Sequence, residues 1–443
     1  MLRLLNSPPK ELFWSAPLAE DSDFTLEDPL ALDYLAQQVG LWLFRDLTTR
    51  TNRAQYYPVV LYGLRLADRA IRELNRHSDD DTRTELFERW ERFWALATVE
   101  YREGEIDRGD VDAMRGIRGA KREWLRRKGT WDPDFELISR QSELGGLGAY
   151  LSSLRKYGLV HDGTLKVAKP AEEILDAFWG ETEIRDTQGR YEEWALYALS
   201  SKAIERSHGK IELSAIGRRT RLSSIRSRKK QQQRIWKALF LDAQDGTTLP
   251  LAKGVIAADR EGIHEPEHLL EGLKTNRWET LSAEISQKVG IALAFGRVVR
   301  VLLSRFNRAY DYVDRHGSIA DFAAVARVAF PEGEMPQLRS VAGKLLKAKD
   351  ATRFSKLPFH GREFLTLLKQ LSGANSAECL RHLLLFQRAV QRSRRGGGEW
   401  LREENNKLAM RVPGYNGAQN PGTFPNLKLD VVRSLLRDLG KVG

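Results

Sequence analysis

The sequence predicts a mainly α-helical protein of many helices, with an internal winged-helix module and a small β-hairpin near its C-terminus. Most of the 443 residues place apolar side chains at the three- and four-residue spacing of amphipathic helices. Residues 139–178 differ, because a helical run is followed by a turn, a short alternating run and a second helical run. That order is typical of a winged helix. Residues 399–412 form two short runs around Glu404-Asn405-Asn406, which predicts the hairpin.

The length and composition allow several domains with apolar cores. With 42% hydrophobic residues, the chain has material for about two to four domains. It has no uninterrupted run of about 18 apolar residues, so we expect no contact with a membrane interior. Cys379 is the single cysteine, which excludes an internal disulfide and favours a reducing compartment. Because residues 1–9 carry only a short apolar run broken by prolines, no signal peptide is predicted and we expect a cytoplasmic protein.

Changes in residue pattern divide the chain into four predicted segments. Residues 1–129 are predicted to form an N-terminal helical domain that ends in a basic helix terminus. Residues 130–182 are the winged-helix-like module, and residues 183–262 are a helical segment that contains a basic run. Residues 263–443 are predicted to form a C-terminal helical domain with the hairpin near 399–412.

An aromatic helix face marks the N-terminal domain. Trp90, Phe93 and Trp94 recur at helical spacing, which predicts that they share one face of a helix. Such a face is typical of the core of a helix bundle. The alternative is a surface on which a partner enzyme docks, and in that case the protein is an interaction scaffold.

The helix predicted over 149–157 is the candidate recognition helix of the winged-helix module. Its polar and basic side chains are Ser152, Ser153, Arg155 and Lys156. In such a module phosphate contacts set the affinity for DNA and base contacts set the specificity. The alternative is a structural connector or a protein-docking element. Three glycines at 145, 146 and 148 precede this helix, and they would let a phosphate approach its N-terminus closely.

A run of cations follows in the third segment, within a chain whose net charge is +11. Between residues 218 and 237 there are nine basic residues and no acidic one, namely Arg218, Arg219, Arg221, Arg226, Arg228, Lys229, Lys230, Arg234 and Lys237. Such a run neutralises phosphates and releases counterions, so it predicts salt-dependent binding to nucleic acid. If the run binds nucleic acid, Trp236 would stack on a base. The alternative is a solvated helix face whose charges are balanced by acids elsewhere in the fold.

The sequence offers no convincing catalytic constellation. His264-Glu265-Pro266-Glu267-His268 has the spacing of a zinc protease, but Pro266 disfavours a helix through both histidines and instead predicts a helix start. No phosphate-binding loop of the nucleotide-hydrolase type is present. The acidic stretch Glu103, Glu105, Asp107, Asp110 and Asp112 leaves a metal-dependent nuclease as the weakest alternative. We predict no catalytic residue, no metal and no cofactor.

Two stretches near the ends of the chain resemble a known group of proteins. The first is residues 47–57, Leu-Thr-Thr-Arg-Thr-Asn-Arg-Ala-Gln-Tyr-Tyr, which is followed by an aromatic helix. The second is residues 387–392 together with Gly396-Gly397-Gly398-Glu399-Trp400-Leu401. Together they resemble uncharacterised, mostly helical bacterial proteins encoded in anti-phage defence islands. The resemblance implies an accessory role in defence and assigns no site residue.

These observations lead to one expectation about function. The chain is predicted to be a non-enzymatic DNA-binding subunit of a bacterial DNA-processing or anti-phage defence complex, with DNA and other subunits as its partners. The predicted contacts are Ser152, Arg155 and Lys156 of the module and the nine cations of the basic run. The alternatives are the scaffold for a partner enzyme and the metal-dependent nuclease.

Overall fold

The protein is mainly α-helical, as predicted, in a computed structural model that describes residues 28–126, 129–180, 185–393, 398–415, 417 and 421–443. Its helices are α1 (Leu32–Leu43), α2 (Tyr56–Glu73), α3 (Asp80–Tyr101), α4 (Ile117–Arg126), α5 (Gln141–Leu144), α6 (Gly146–Lys156), α7 (Glu172–Leu175), α8 (Arg185–Ser200), α9 (Leu213–Thr220), α10 (Lys229–Trp236), α11 (Thr248–Arg260), α12 (Pro266–Lys274), α13 (Ala283–Arg315), α14 (Phe322–Ala329), α15 (Met335–Leu346), α16 (Gly361–Leu371), α17 (Ser376–Arg392) and α18 (Leu429–Asp438). Short 3-10 helices lie at Lys169–Ala171, Leu222–Ser227, Glu332–Glu334 and Ala351–Lys356, and a π-helical turn lies at Lys237–Leu241.

The strands are short and antiparallel. They are β1 (Thr130–Trp131), β2 (Ile204–Glu205), β3 (Ser207–His208), β4 (Ile211–Glu212), β5 (Ile319–Asp321), β6 (Leu401–Glu404) and β7 (Lys407–Met410). The pairs β1–β2 and β3–β4 are isolated, whereas β5, β7 and β6 form a three-stranded sheet in that order. Among the described residues, no helix combines the length and the apolar character needed to cross a bilayer.

The chain forms two compact units, each built from two separate segments. Unit 1 contains Met1–Leu43 and Ile263–Leu427, and unit 2 contains Phe44–Gly262 and Lys428–Gly443. The sequence boundary drawn between residues 262 and 263 coincides with a change of unit. Residues 130–182 and 183–262 belong to the same unit as the helices α2–α4 that precede them.

The core of unit 2 is organised around α3. Asp79 begins this helix by accepting a hydrogen bond from the Thr82 amide at 2.7 Å. Trp90 is fully buried, and its indole NH donates to the carbonyl of Val59 at 3.0 Å. Phe93 and Trp94 are buried as well, so the aromatic face is core, as helix-bundle packing predicts, and it is not a docking surface.

The winged-helix module is not confirmed. Helix α6, a turn and the short helix α7 follow each other in the predicted order. The strand pairing between the two helices is a single bridge, between Val160 and Val167. Helix α6 buries much of its surface in unit 2, including the side chains of Tyr150 and Leu154, and a recognition helix would instead present that surface to DNA.

Unit 1 is built on the 33-residue helix α13, against which several shorter helices pack. The predicted hairpin is confirmed, because β6 and β7 pair from Leu401 with Met410 to Glu404 with Lys407. Its turn is Asn405-Asn406, and both residues have positive φ, the conformation that tight hairpin turns require. Cys379 is fully buried in this unit, and burial raises the pKa of its thiol to about 11. It is a core residue, as its helical pattern indicates.

Candidate nucleic-acid interface

The basic run folds as the end of α9, a 3-10 helix, α10 and the first residue of the π-helical turn, and α10 has one buried and one basic face. Gln231, Gln232 and Ile235 are buried, so they attach the helix to unit 2. The side chains that alternate with them project outward, since positions three and four apart share one face of a helix. We call this face, together with Lys237 at the start of the π-helical turn, the α10 stripe, and its cations are Lys229, Lys230, Arg234 and Lys237.

Three of the nine cations form ion pairs within unit 2. Arg221 lies 3.4 Å from Asp112, and its guanidinium carbon lies 4.4 Å from the centre of the Tyr101 ring. Arg226 pairs at 3.1 Å with Asp438, a carboxylate that is almost completely buried. Lys237 pairs at 3.1 Å with Glu173, and because both side chains are exposed this pair contributes little to stability.

Two further cations point into the unit. Arg228 is only 8% exposed, and its guanidinium donates hydrogen bonds to the carbonyl oxygens of Phe178 and Arg219. Its assignment to a DNA contact was wrong, because its donors are satisfied by main-chain carbonyls in the interior. The guanidinium of Arg219 lies over the ring of Tyr191, 4.7 Å from its centre.

Four cations of the run remain directed to solvent. Arg218, Lys229 and Lys230 are exposed and Arg234 is half-buried. None of the four forms an ion pair with a carboxylate anywhere in the part of the chain that the structure describes. Three of them belong to the α10 stripe, so their charges share one face.

The fold adds a cation that sequence reasoning missed. The Gln232 side-chain amide donates to the carbonyl of Asp438 at 3.2 Å, which joins the end of α18 to α10. The ammonium group of Lys441 consequently lies 5.0 Å from the centre of the Trp236 ring. Trp236 also stacks on Phe240 with centroids 4.6 Å apart, so this ring already has packing partners and is not a vacant platform for a base.

The side chains chosen on the candidate recognition helix have mixed roles. Ser152 is exposed, whereas Ser153 is fully buried and donates to the carbonyl of Asp46 at 2.7 Å. A groove contact by Ser153 was therefore a wrong prediction. Arg155 donates to the carbonyl of Thr164 at 2.6 Å, and it thereby fixes the turn that follows the helix. Lys156 is exposed, and its ammonium donates to the carbonyl of Arg45 at 3.2 Å.

Lys156 and the α10 stripe do not form one patch. Lys156 and Lys428 donate to the main-chain carbonyls of Arg45 and Leu47, which are two residues apart, so these two lysines are neighbours at the start of α18. Burial, and secondly the charge of Lys156, lower the pKa of Lys428 to about 7. The other end of α18 is Asp438, which holds Arg226 just before α10. A ten-residue helix is about 15 Å long, which separates Lys156 from the stripe.

Two of the three glycines at the start of α6, Gly145 and Gly146, lie against a carboxylate of the protein itself, whereas Gly148 lies against the backbone of Glu143. Glu91 is 1% exposed and accepts hydrogen bonds from the Gly146 amide at 2.5 Å and from the Gln141 side chain at 2.9 Å. A Cβ atom on Gly145 would lie 2.6 Å from an oxygen of Glu91. The N-terminus of α6 is thus already capped by an acid, and the expected phosphate site there is not found.

Glu91 also makes stability depend on pH. Burial raises the pKa of Glu91 from 4.5 to about 7, so between these values the folded state binds the proton more tightly than the unfolded chain. The free energy of unfolding therefore falls as the pH rises through this window, by an amount on the order of 3 kcal/mol for this group. We expect Glu91→Gln to remove most of that fall in urea titrations at pH 5, 6 and 7.

The window ends near pH 7, where Glu91 ionises in the folded state as well. Above that pH the lowered pKa of Lys428 acts in the opposite direction and raises the free energy of unfolding with pH. The matched control is Glu105→Gln, because Glu105 is an exposed glutamate of the same unit. Its pH profile should follow that of the unmodified protein. An identical slope in the Glu91→Gln variant would show that Glu91 is not the titrating group.

The acidic stretch does not form a metal site. Asp110 makes two hydrogen bonds to the guanidinium of Arg102, at 2.8 and 2.9 Å. Asp112 is 2% exposed and accepts a hydrogen bond from the Ser223 amide at 2.8 Å. Across the described ranges, no group of three or more His, Cys, Asp or Glu side chains is placed to hold a metal ion. In the His264–His268 pattern, Pro266 begins α12 as its position predicts, and His264 lies outside the helix.

No protein-family model matches the chain, and comparison with curated proteins and with solved structures finds no match. The resemblance of residues 47–57 and 387–401 to defence-island proteins therefore stays a prediction. Within the described ranges, the structure separates the exposed, unpaired cations of the basic run from those that are buried or form ion pairs. Fewer of the predicted residues therefore remain as candidate contacts to nucleic acid.

Proposed function

We propose that the protein binds DNA through the α10 stripe, together with Arg218 and Lys441, and that it does so without catalysing a reaction. The observation that supports this proposal is that the exposed Lys229 and Lys230 and the half-buried Arg234 share one helix face and form no ion pair among the described residues. The further role, as a subunit of a DNA-processing or anti-phage defence complex, rests on the sequence resemblance alone.

The chemistry of the stripe suits the phosphate backbone better than the bases. Lysine ammonium groups are mobile point charges that contact phosphates without the fixed geometry that reads a base edge. Binding should then be weakly dependent on sequence and strongly dependent on salt. Lys237 is also able to contribute, because its exposed pair with Glu173 is weak enough to be exchanged for a phosphate.

The proposal predicts that a charge reversal on the stripe weakens binding. We expect Lys229→Glu with Lys230→Glu to reduce the affinity for a short random-sequence duplex roughly tenfold or more at low ionic strength. Both residues lie in the first turn of α10, where the helix dipole stabilises acidic side chains. The fold should therefore be retained. Fluorescence anisotropy with a labelled duplex provides the measurement.

The matched control reverses two lysines elsewhere in unit 2. Lys202 and Lys210 are exposed and form no ion pair among the described residues, so their change to glutamate alters the net charge by the same amount. This control should retain most of the affinity. Equal losses of affinity in both variants would mean that binding depends only on the net charge of the protein, and they would remove the stripe from the proposal. Full affinity in the Lys229 and Lys230 variant would remove it as well.

The residues that suggested a scaffold or a metal-dependent nuclease are buried or already bound within the protein. Trp90, Phe93 and Trp94 are buried, so they offer no surface to a partner enzyme. Asp110 and Asp112 are bound to arginines and a main-chain amide, so they are not arranged as metal ligands. We therefore propose neither a scaffold based on those aromatic residues nor a nuclease based on those carboxylates.

A further inference from the structure

Unit 1 contains a large cleft that the basic run does not touch. Its volume is about 740 Å³, which lies within the range of sites for small organic ligands. One wall is the first half of α13, from Ala283 to Arg297, and the other is the end of α15 with residues 347–350. Lys274, the last residue of α12, completes the rim.

The floor of the cleft is apolar and made of small side chains. Ala294 and Gly290 line it on α13, with Ile291 and Leu293 largely buried beside them. The stem of Lys274 lies beside Gly290 on this helix. A Cβ atom on Gly290 would be 3.8 Å from Cε of Lys274. Lys274 therefore lines the cleft next to its apolar floor.

The rim is cationic. Lys344, Lys347 and Lys349 line the wall opposite α13, and Lys274 lines the cleft beside that helix. All four lysines are exposed, and none forms an ion pair in the described part of the chain. The one acid in the lining, Asp350, is already paired with Arg353 at 3.3 Å.

Arg297 differs from the lysines, because its charge is compensated. It pairs with Glu267 at 2.8 Å and also with Glu271. Arg297 and Lys274 also line a second, neighbouring cleft of about 560 Å³. Lys274 is thus the one cation without an acid partner that both clefts share among the described residues.

A helix-end effect explains only part of this arrangement. Lys274 and Lys344 lie in the last turns of α12 and α15, where a cation complements the helix dipole. That effect does not bring lysines from two different elements to one cleft, and it does not account for Lys347 and Lys349 beyond α15. Like charges that converge without an acid repel each other, and an anion between them relieves that repulsion.

We infer that this cleft binds an organic polyphosphate of about nucleotide size, with the phosphates on the lysines and the organic group on the apolar floor. A DNA duplex does not fit into a cleft of 740 Å³. Single strands are bound on aromatic platforms, and the described residues that line the cleft include no aromatic side chain. A small ligand satisfies both the charge and the volume, and this site is independent of the α10 stripe.

Isothermal titration calorimetry of the full chain with ATP, inorganic tripolyphosphate and adenosine tests this inference. We expect ATP to bind with a dissociation constant in the micromolar to millimolar range, tripolyphosphate to bind more weakly, and adenosine to give no measurable heat. Tripolyphosphate binding as tight as that of ATP would contradict a role for the apolar floor. No binding of ATP or tripolyphosphate at low ionic strength would overturn the inference.

Two variants assign the binding to the cleft. Lys274→Gln with Lys347→Gln removes two rim charges, and we expect a loss of ATP affinity of about tenfold or more. Gly290→Leu fills the floor without changing the charge, and because glycine is a poor helix former the variant should keep or gain helix stability. We expect it to lose ATP affinity by a similar factor.

The matched control is Lys356→Gln with Lys369→Gln, two exposed lysines of unit 1 outside the lining. It should bind ATP like the unmodified protein. Unchanged affinity in both cleft variants, or an equal loss in the control, would show that ATP binds elsewhere.

Discussion

Replacement of Asp438 by alanine is expected to destabilise unit 2 by about 3–5 kcal/mol, the range for removing one partner of a buried ion pair. Asp438 is fully buried and pairs with Arg53 at 3.0 Å and with Arg226 at 3.1 Å. It also accepts a hydrogen bond from the Ala54 amide at 3.2 Å. The substitution leaves two guanidinium groups and an amide without their acceptor. Hydrogen exchange measured by mass spectrometry reports the loss.

The amides of unit 1 serve as the internal reference in that experiment. Asp242→Ala is the matched control, because Asp242 is an exposed aspartate of the same unit. Its effect should stay within about 0.5 kcal/mol. A change of less than about 1 kcal/mol for Asp438→Ala would contradict the structural role. The same contacts make Arg226→Glu unsuitable as a test of DNA binding, because it places a second carboxylate beside Asp438.

Trp90→Ala should destabilise unit 2 by about 3–5 kcal/mol, because it creates a cavity in the core. The indole of Trp90 packs where a side chain on Gly63 would otherwise lie, and its ring contacts Tyr62 and Phe178. Its hydrogen bond to Val59 is lost as well. Urea unfolding monitored by circular dichroism gives the free energy.

Leu125→Ala is the control for this substitution, since Leu125 is 65% exposed and should change stability little. A Trp90→Ala protein of unchanged stability would place the indole at the surface. That outcome would restore the aromatic face as a candidate docking site.

Local sequence patterns predicted the parts of this fold that local physics determines. Apolar spacing predicted the helices, and the Asn405-Asn406 turn predicted the hairpin because its residues tolerate positive φ. The contacts of Asp438 were not predictable in this way. Its partner Arg226 lies 212 positions earlier in the chain, and no short-range pattern connects them.

The candidate site shows a second limit of local reasoning. The absence of acids between 218 and 237 suggested that all nine cations face solvent. Arg228 is buried nevertheless, because a guanidinium is satisfied by the carbonyls of Phe178 and Arg219 and does not require a local acid. In unit 1 the sequence pattern instead missed a cluster of cations, namely the lysines of the cleft. They come from residues 274 and 344–349, and only the fold brings them together.

The salt dependence of DNA binding tests the central proposal most directly. The logarithm of the association constant should fall linearly with the logarithm of the salt concentration, with a slope of about −0.9 per phosphate contact. For the variant Lys229→Gln with Lys230→Gln, we predict a slope smaller in magnitude by about two units. A slope equal to that of the unmodified protein would mean that these lysines contact no phosphate, and it would contradict binding through the α10 stripe.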